Sequence, residues 1–214
     1  MDSSISRTFF FECSNPGCNL RFPLNTDIYD GCYCPRCGMP LEKHEAVLPG
    51  QKPPAAPNPK FKLIGALDNI RSVYNVGAIF RTADGAGLSG LLLGGITPTP
   101  SEQPSLSKTA LGAEKSIPWS YHPNLPHALE ERKLAGYTIL AIEAAPEAVS
   151  LQTYHLPQAL TGPVVLVAGS EPSGVDPAIL RLADQVLYIP MAGEKTSLNV
   201  SVAFGVAVYQ LLWK

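Results

Sequence analysis

The run 163–168, PVVLVA, carries no polar side chain on either of the two faces that a strand presents. Successive side chains of a strand point to opposite sides, so this run has to be covered above and below. Residues 137–143, YTILAIE, repeat the demand. A mostly parallel sheet with helices on both faces meets it. The remaining pattern from residue 61 onward agrees. Strands are expected at 62–67, 90–93 and 185–189. Helices are expected at 72–85, at 125–134 and at 199–212, with a short one at 104–113 and another opened by Asp176 and Pro177, running to 182. Strand–helix alternation predicts an α/β fold.

With 45% hydrophobic and 16% charged residues, the 214-residue chain has ample material for a core. Its formal charge of -2 argues against broad electrostatic binding of nucleic acid but leaves room for a local basic patch. No window suits a bilayer span, and the start, MDSSISRTFFFECS, lacks the basic end and apolar run of a signal peptide. A cytoplasmic, reducing location is expected, with no membrane partner.

All five cysteines precede residue 40, as Cys13-Ser-Asn-Pro-Gly-Cys18 and Cys32-Tyr-Cys34-Pro-Arg-Cys37. Paired-cysteine turns separated by a short loop are the arrangement of tetrahedral thiolate sites. The stretch resembles a zinc ribbon or rubredoxin-like knuckle pair, with Cys13, Cys18, Cys34 and Cys37 as ligands and Cys32 as a spare thiol. Zinc is the expected ion, with iron the alternative. A set of merely buried thiols would leave so short and polar a segment without enough core to fold. Residues 49–60 hold Pro49, Pro53, Pro54, Pro57 and Pro59 and read as a semi-rigid linker. The expected organisation is a metal module at 1–48, the linker at 49–60 and an α/β domain at 61–214.

Three clusters in that domain carry polar chemistry. The first is Asn75-Val-Gly77 with Arg81, in an otherwise apolar helix; taken alone, Arg81 reads equally as a surface cation paired to Asp84, and Asn75 as a cap. The second is the turn Gly169-Ser-Glu171-Pro-Ser-Gly174 after a buried strand. It is neither a P-loop nor a dinucleotide fingerprint. The third is Ile189-Pro-Met191, followed by Ser197-Leu198-Asn199 at the opening of the last helix, where Ser197 and Asn199 also suit capping. Each cluster falls at the C-terminal end of a strand or early in the following helix, and in a parallel sheet these ends share one edge.

The three clusters, in this order, resemble the three motifs of the SpoU (TrmH-like) family of the SPOUT superfamily. The resemblance covers about residues 60–214, with Pro172 standing where the family most often has a second glycine. It implies an α/β sheet whose C-terminal part forms a trefoil knot, a homodimer, and methyl transfer from S-adenosylmethionine to a ribose 2′-hydroxyl of tRNA or rRNA. By position it assigns Gly169, Ile189 and Leu198 to the cofactor, with Met191 beside them. It assigns activation of the hydroxyl to Arg81, with Asn75, Glu171, Ser197 and Asn199 positioning it. Free arginine stays protonated far above neutral pH, so stabilising the developing alkoxide is the role that suits Arg81. The competing reading is a non-catalytic RNA- or protein-binding adaptor that keeps the knotted fold.

The metal module lies outside the resemblance. Arg7, Arg21, Arg36 and Lys43, with Phe9, Phe10, Phe11, Phe22 and Tyr33, are candidates for cation and stacking contacts with RNA. The competing assignment makes the phenylalanines the small core around the metal.

Overall fold

The structure is a computed structural model and describes residues 7–47, 54, 61–157 and 162–213. The chain divides into two compact units, 1–56 and 57–214. The expected linker at 49–60 falls outside the described residues, apart from Pro54.

In the first unit β1 (Thr8–Cys13) lies between β2 (Arg21–Asn25) and β3 (Leu41–Ala46), antiparallel to both. Phe11 faces Phe22 across the β1–β2 ladder and is buried. Gly31 leaves the space that the Phe11 ring fills. Phe9 and Phe10 are half-buried and capped by cations, Lys43 Nζ at 3.4 Å from one ring centre and the Arg21 guanidinium at 5.5 Å from the other. The phenylalanines of β1 therefore pack within the unit, whereas Tyr33 is exposed. Arg7 pairs with Asp27, and Arg21 with Glu12 and Glu45.

The second unit holds a seven-stranded sheet. Its strands are β4 (Leu63–Asp68), β5 (Gly90–Gly94), β6 (Trp119–His122), β7 (Thr138–Ile142), β8 (Val149–Ser150), β9 (Val164–Gly169) and β10 (Gln185–Tyr188). Their order is β6-β5-β4-β9-β7-β10-β8, and each recorded pairing is parallel. The helices are α1 (Val73–Ala86), α2 (Ser107–Ala110), α3 (Ala113–Ser116), α4 (Leu125–Leu134), α5 (Pro177–Leu182) and α6 (Val200–Trp213).

The sheet has a buried cluster on each face. Leu63, Leu67, Val164 and Leu166 join Phe80 of α1 and Phe204 of α6 in one, while Ala66, Val165 and Val167 join Leu129 of α4 and Ile179 of α5 in the other. All of β9 is buried, as an apolar run on both faces requires. Side chains i and i+1 of that strand serve different cores.

Several boundaries differ from the expectation. The helix expected at 104–113 is instead a 3₁₀ turn running into the four-residue α2, with the four-residue α3 starting only at Ala113, because Leu111 and Gly112 take left-handed φ of 53° and 95°. The helix expected from 72 starts at Val73, since Ser72 Oγ accepts the Asn75 N–H and so acts as the N-cap. The helix expected from 199 starts at Val200, with Asn199 Oδ1 accepting the Ser201 N–H. Edge strands β6 and β8 were not anticipated. Among the described residues, no helix is long and apolar enough to cross a membrane.

Candidate active site and metal centre

In the first unit the expected ligand set converges. The sulfurs of Cys13, Cys18, Cys34 and Cys37 all lie within 4.8 Å of one another. Cys13 to Cys37 is 3.4 Å and Cys18 to Cys34 is 3.8 Å. Four thiolates about 2.3 Å from one ion stand about 3.8 Å apart in a tetrahedron, so the donor set fits a four-coordinate metal. As free thiols the four are unequal. Burial pushes Cys13 up to about 12. Burial also raises Cys34, but the N–H groups of Arg36 and Cys37 and neighbouring thiols outweigh it and bring it down to about 7. Backbone amides aimed at sulfur stabilise thiolate, the form that binds metal. Cys32 is exposed and stands outside the group.

In the second unit a cavity of about 350 Å³ opens at the C-terminal ends of β7, β9 and β10. Its walls include Ile142, Gly169, Ile189, Met191, Leu198 and Ala203. All four residues expected at the cofactor are therefore together, drawn from two segments. The wall after β9 is a tight turn in which Ser170 and Gly174 exchange backbone hydrogen bonds at 3.1 and 2.8 Å. A Cβ on Gly169 would strike the backbone of Gly174 and Val175, so only glycine lets this turn close. Pro172 is accommodated without disturbing that closure.

At the mouth, side chains from all three motifs form a chain of hydrogen bonds. Asn75 Nδ2 donates to Glu171 Oε1, and Asn199 Nδ2 donates to Asn75 Oδ1 at 3.1 Å. Asn75 is free for this because Ser72 caps its helix. Asn199 both caps and donates, its Oδ1 also accepting from Ser201 Oγ at 2.7 Å. Glu171 and Ser197 line the cavity. Arg81 does not: it is exposed on α1, six residues beyond Asn75, and has no carboxylate partner among the described residues. Asp84, the partner considered for it, instead accepts from Ser116 Oγ at 2.7 Å.

Two carboxylates escaped the sequence reading. Glu143, just past β7, lines the cavity and accepts the Val175 N–H at 2.9 Å. Asp68, the buried last residue of β4, accepts the Asp176 N–H and the Asn69 side-chain amide, both at 2.7 Å. Burial raises the Asp68 carboxyl above its ordinary range, opposed by those two donors. Each ends a parallel strand, the one signal that was available.

Residues 62–209 match the model of the SpoU rRNA Methylase family. The 23S rRNA (guanosine-2'-O-)-methyltransferase RlmB of Pseudomonas syringae pv. tomato is 33% identical over 155 residues, 70% of this chain and 58% of that protein. The putative TrmH family tRNA/rRNA methyltransferase YacO of Bacillus subtilis is 34% identical over 154 residues, 69% of this chain and 57% of that protein. The chain thus spans less than two thirds of the length of these curated relatives. An AdoMet-bound rRNA methyltransferase from Sinorhizobium meliloti superposes with a TM-score of 0.64 at 31% identity, over 73% of this chain and 57% of that one. The A. aeolicus TrmH/SpoU tRNA modifying enzyme superposes with a TM-score of 0.62 at 32% identity, over 71% of this chain and 74% of that one. The fold is that of the SPOUT methyltransferases. The 7–47 unit lies outside the matched residues, and with residues 62–209 matched the chain belongs to the SpoU rRNA methylase family.

Proposed function

We propose that the second unit transfers a methyl group from S-adenosylmethionine to a ribose 2′-hydroxyl of rRNA or tRNA. The observation that carries this is a cavity lined by the second and third clusters, with Asn75 of the first tied to its wall through Glu171 and held by Asn199. A cavity of about 350 Å³ lies within the usual range for small-molecule sites, roughly 300–1,000 Å³. Among the described residues its lining includes Glu143 and Glu171 and no lysine or arginine, a charge balance that favours a cationic ligand.

When bound, S-adenosylmethionine supplies a methyl group on a sulfonium, which departs as a neutral thioether. Gly169, Ile189, Met191 and Leu198, which line the cavity, would hold it. The 2′-hydroxyl becomes nucleophilic as its oxygen gains negative charge, and its proton passes to bulk solvent as the methyl–oxygen bond forms and the methyl–sulfur bond breaks. Arg81, exposed and without a carboxylate partner among the described residues, places its guanidinium where incoming RNA can meet it, binding phosphate and stabilising the alkoxide. Asn75, fixed by Asn199, orients Glu171; Ser197 completes the polar rim.

Further parts of the reading rest on the same fold. The segment after β10 is proposed to thread into a trefoil knot before α6. On α6, Val202, Val206, Tyr209 and Trp213 are 51%, 42%, 50% and 36% exposed. A second copy of the chain is proposed to cover this patch, forming a homodimer. Zinc is the proposed occupant of the four-cysteine site, within a module bounded at residue 48 and joined by the 49–60 linker to the domain from 61. Reduced thiols of this kind suit the cytoplasm, the proposed location.

The test is transfer of labelled methyl from S-adenosylmethionine to rRNA and tRNA from cells lacking the gene, followed by digestion to nucleosides. Label in a single 2′-O-methylnucleoside names the target. No transfer, with an unchanged map of ribose methylation in those cells, would favour the adaptor.

A further inference from the structure

Glu143 is held in an unusual way for a carboxylate that lines a ligand cavity. Its N–H continues the β7–β10 ladder by donating to Leu187 at 2.9 Å. Its Oε1 accepts the N–H of Ala144, and its Oε2 the N–H of Val175, both at 2.9 Å. Gly174, at φ of 67°, lacks the Cβ that would occupy the place of Oε2. The next amide along, that of Asp176, goes to Asp68. Two carboxylates from two strands therefore hold consecutive backbone amides of the turn that walls the cavity.

Pinning explains one lone pair on each oxygen of Glu143 and leaves the others. Among the described residues, no lysine or arginine lines the cavity to take them. The cavity's other carboxylate, Glu171, is occupied at the mouth by Asn75. A carboxylate locked in place at the C-terminal end of a parallel strand is the group with which nucleotide-binding α/β proteins hold ribose hydroxyls. Hydrogen bonds to a charged, preorganised acceptor are the strong ones.

We infer that Glu143 is a further cofactor-binding residue, whose carboxylate accepts hydrogen bonds from the ribose hydroxyls of the bound nucleoside. The inference rests on the S-adenosylmethionine reading. The same residue then reads the sugar and holds the β9 turn, so the wall that carries Glu171 is shaped around a ribose.

The experiment is calorimetric titration of the full chain with S-adenosylhomocysteine and with its 2′-deoxy and 3′-deoxy analogues. The wild type is expected to bind at least one deoxy analogue about tenfold or more weakly than the parent. In Glu143→Gln that ratio is expected to fall toward one, because the charged acceptor is gone. Loss of the pin alone would weaken all three ligands equally and leave the ratio unchanged. Glu143→Asp, which withdraws the charge by one methylene, supplies the same comparison should the amide variant fail to fold. A wild type that binds all three alike, or variants that discriminate as the wild type does, would overturn the inference alone. A wild type that binds neither S-adenosylmethionine nor S-adenosylhomocysteine would overturn the cofactor reading with it.

Discussion

Asn199 Nδ2 donates to Asn75 Oδ1 at 3.1 Å across 124 residues of chain. The bond ties the start of α6 to the first turn of α1. It also fixes the amide orientation of Asn75, whose Nδ2 must then face Glu171. An aspartate at 75 would present a second carboxylate to Glu171 and nothing for it to accept. Asn75→Asp should therefore slow methyl transfer more than Asn75→Ala, with the alanine variant losing about 10- to 100-fold, the cost of a polar group left without its partner. Turnover with the cognate RNA orders the two; the reverse order would remove the bridge from the mechanism.

Arg81 is exposed and does not line the cavity. Arg81→Ala is expected to lower turnover by about 10²- to 10³-fold, as loss of one stabiliser of developing charge does. Affinity for S-adenosylmethionine should stay within roughly twofold, the range of ordinary surface substitutions. Near-normal turnover would take the arginine out of the reaction.

The four sulfurs of Cys13, Cys18, Cys34 and Cys37 lie within 4.8 Å of one another in a unit with one buried phenylalanine, Phe11. Structural zinc contributes about 10–16 kcal/mol in small modules, far more than such a core can. Chelation, or Cys34→Ser, should strip one equivalent of metal by mass spectrometry and expose residues 7–47 to protease. The sheet of residues 63–188 should keep its thermal transition. Full metal content in Cys34→Ser would reject the ligand assignment.

Asp68 is 1% exposed, and burial raises its carboxyl above the ordinary value of 3.8. The native state then holds this proton more tightly than the unfolded chain does, so the group's contribution to stability falls as pH rises from about 3.8 through the raised value. Comparing unfolding of the wild type and Asp68→Asn between pH 3.5 and 7 isolates this, because titration elsewhere cancels. The difference should shift against the wild type with rising pH and then level off. A difference constant over the whole range would contradict the shift.

Phe204 of α6 is fully buried over β4, where a Cβ on Gly65 would meet its ring at 2.7 Å. Phe204→Ala should cost about 3–5 kcal/mol in denaturant unfolding. A loss under about 1 kcal/mol would mean that α6 does not seal this face of the sheet.

Much of the architecture was legible because its signals are local. The apolar runs at 138–142 and 164–169 declare burial on both faces by themselves, and helix α4 runs over the expected 125–134. Strand β6, WSYH, gave no such signal, because as an edge strand it is only half-buried and has no apolar run. The break at Leu111 and Gly112 was missed because a left-handed leucine is held by its surroundings rather than by its own preference.

The site divides along the same line. Asn75, Glu171 and Asn199 were recognisable as residue types at motif spacing, yet alone Asn75 and Asn199 suit helix capping and Glu171 suits an exposed loop. Their hydrogen bonds join positions 96 and 124 residues apart, and which partner each amide finds depends on strand order, which periodicity does not encode. Glu143 went unnoticed for the same reason, since its meaning lies in an N–H 32 residues away. Local sequence sets what each segment can do, through side-chain chemistry and period. Closing the sheet in the order β4-β9-β7-β10 sets which of those groups meet, because only packing in three dimensions brings distant strand ends to one edge.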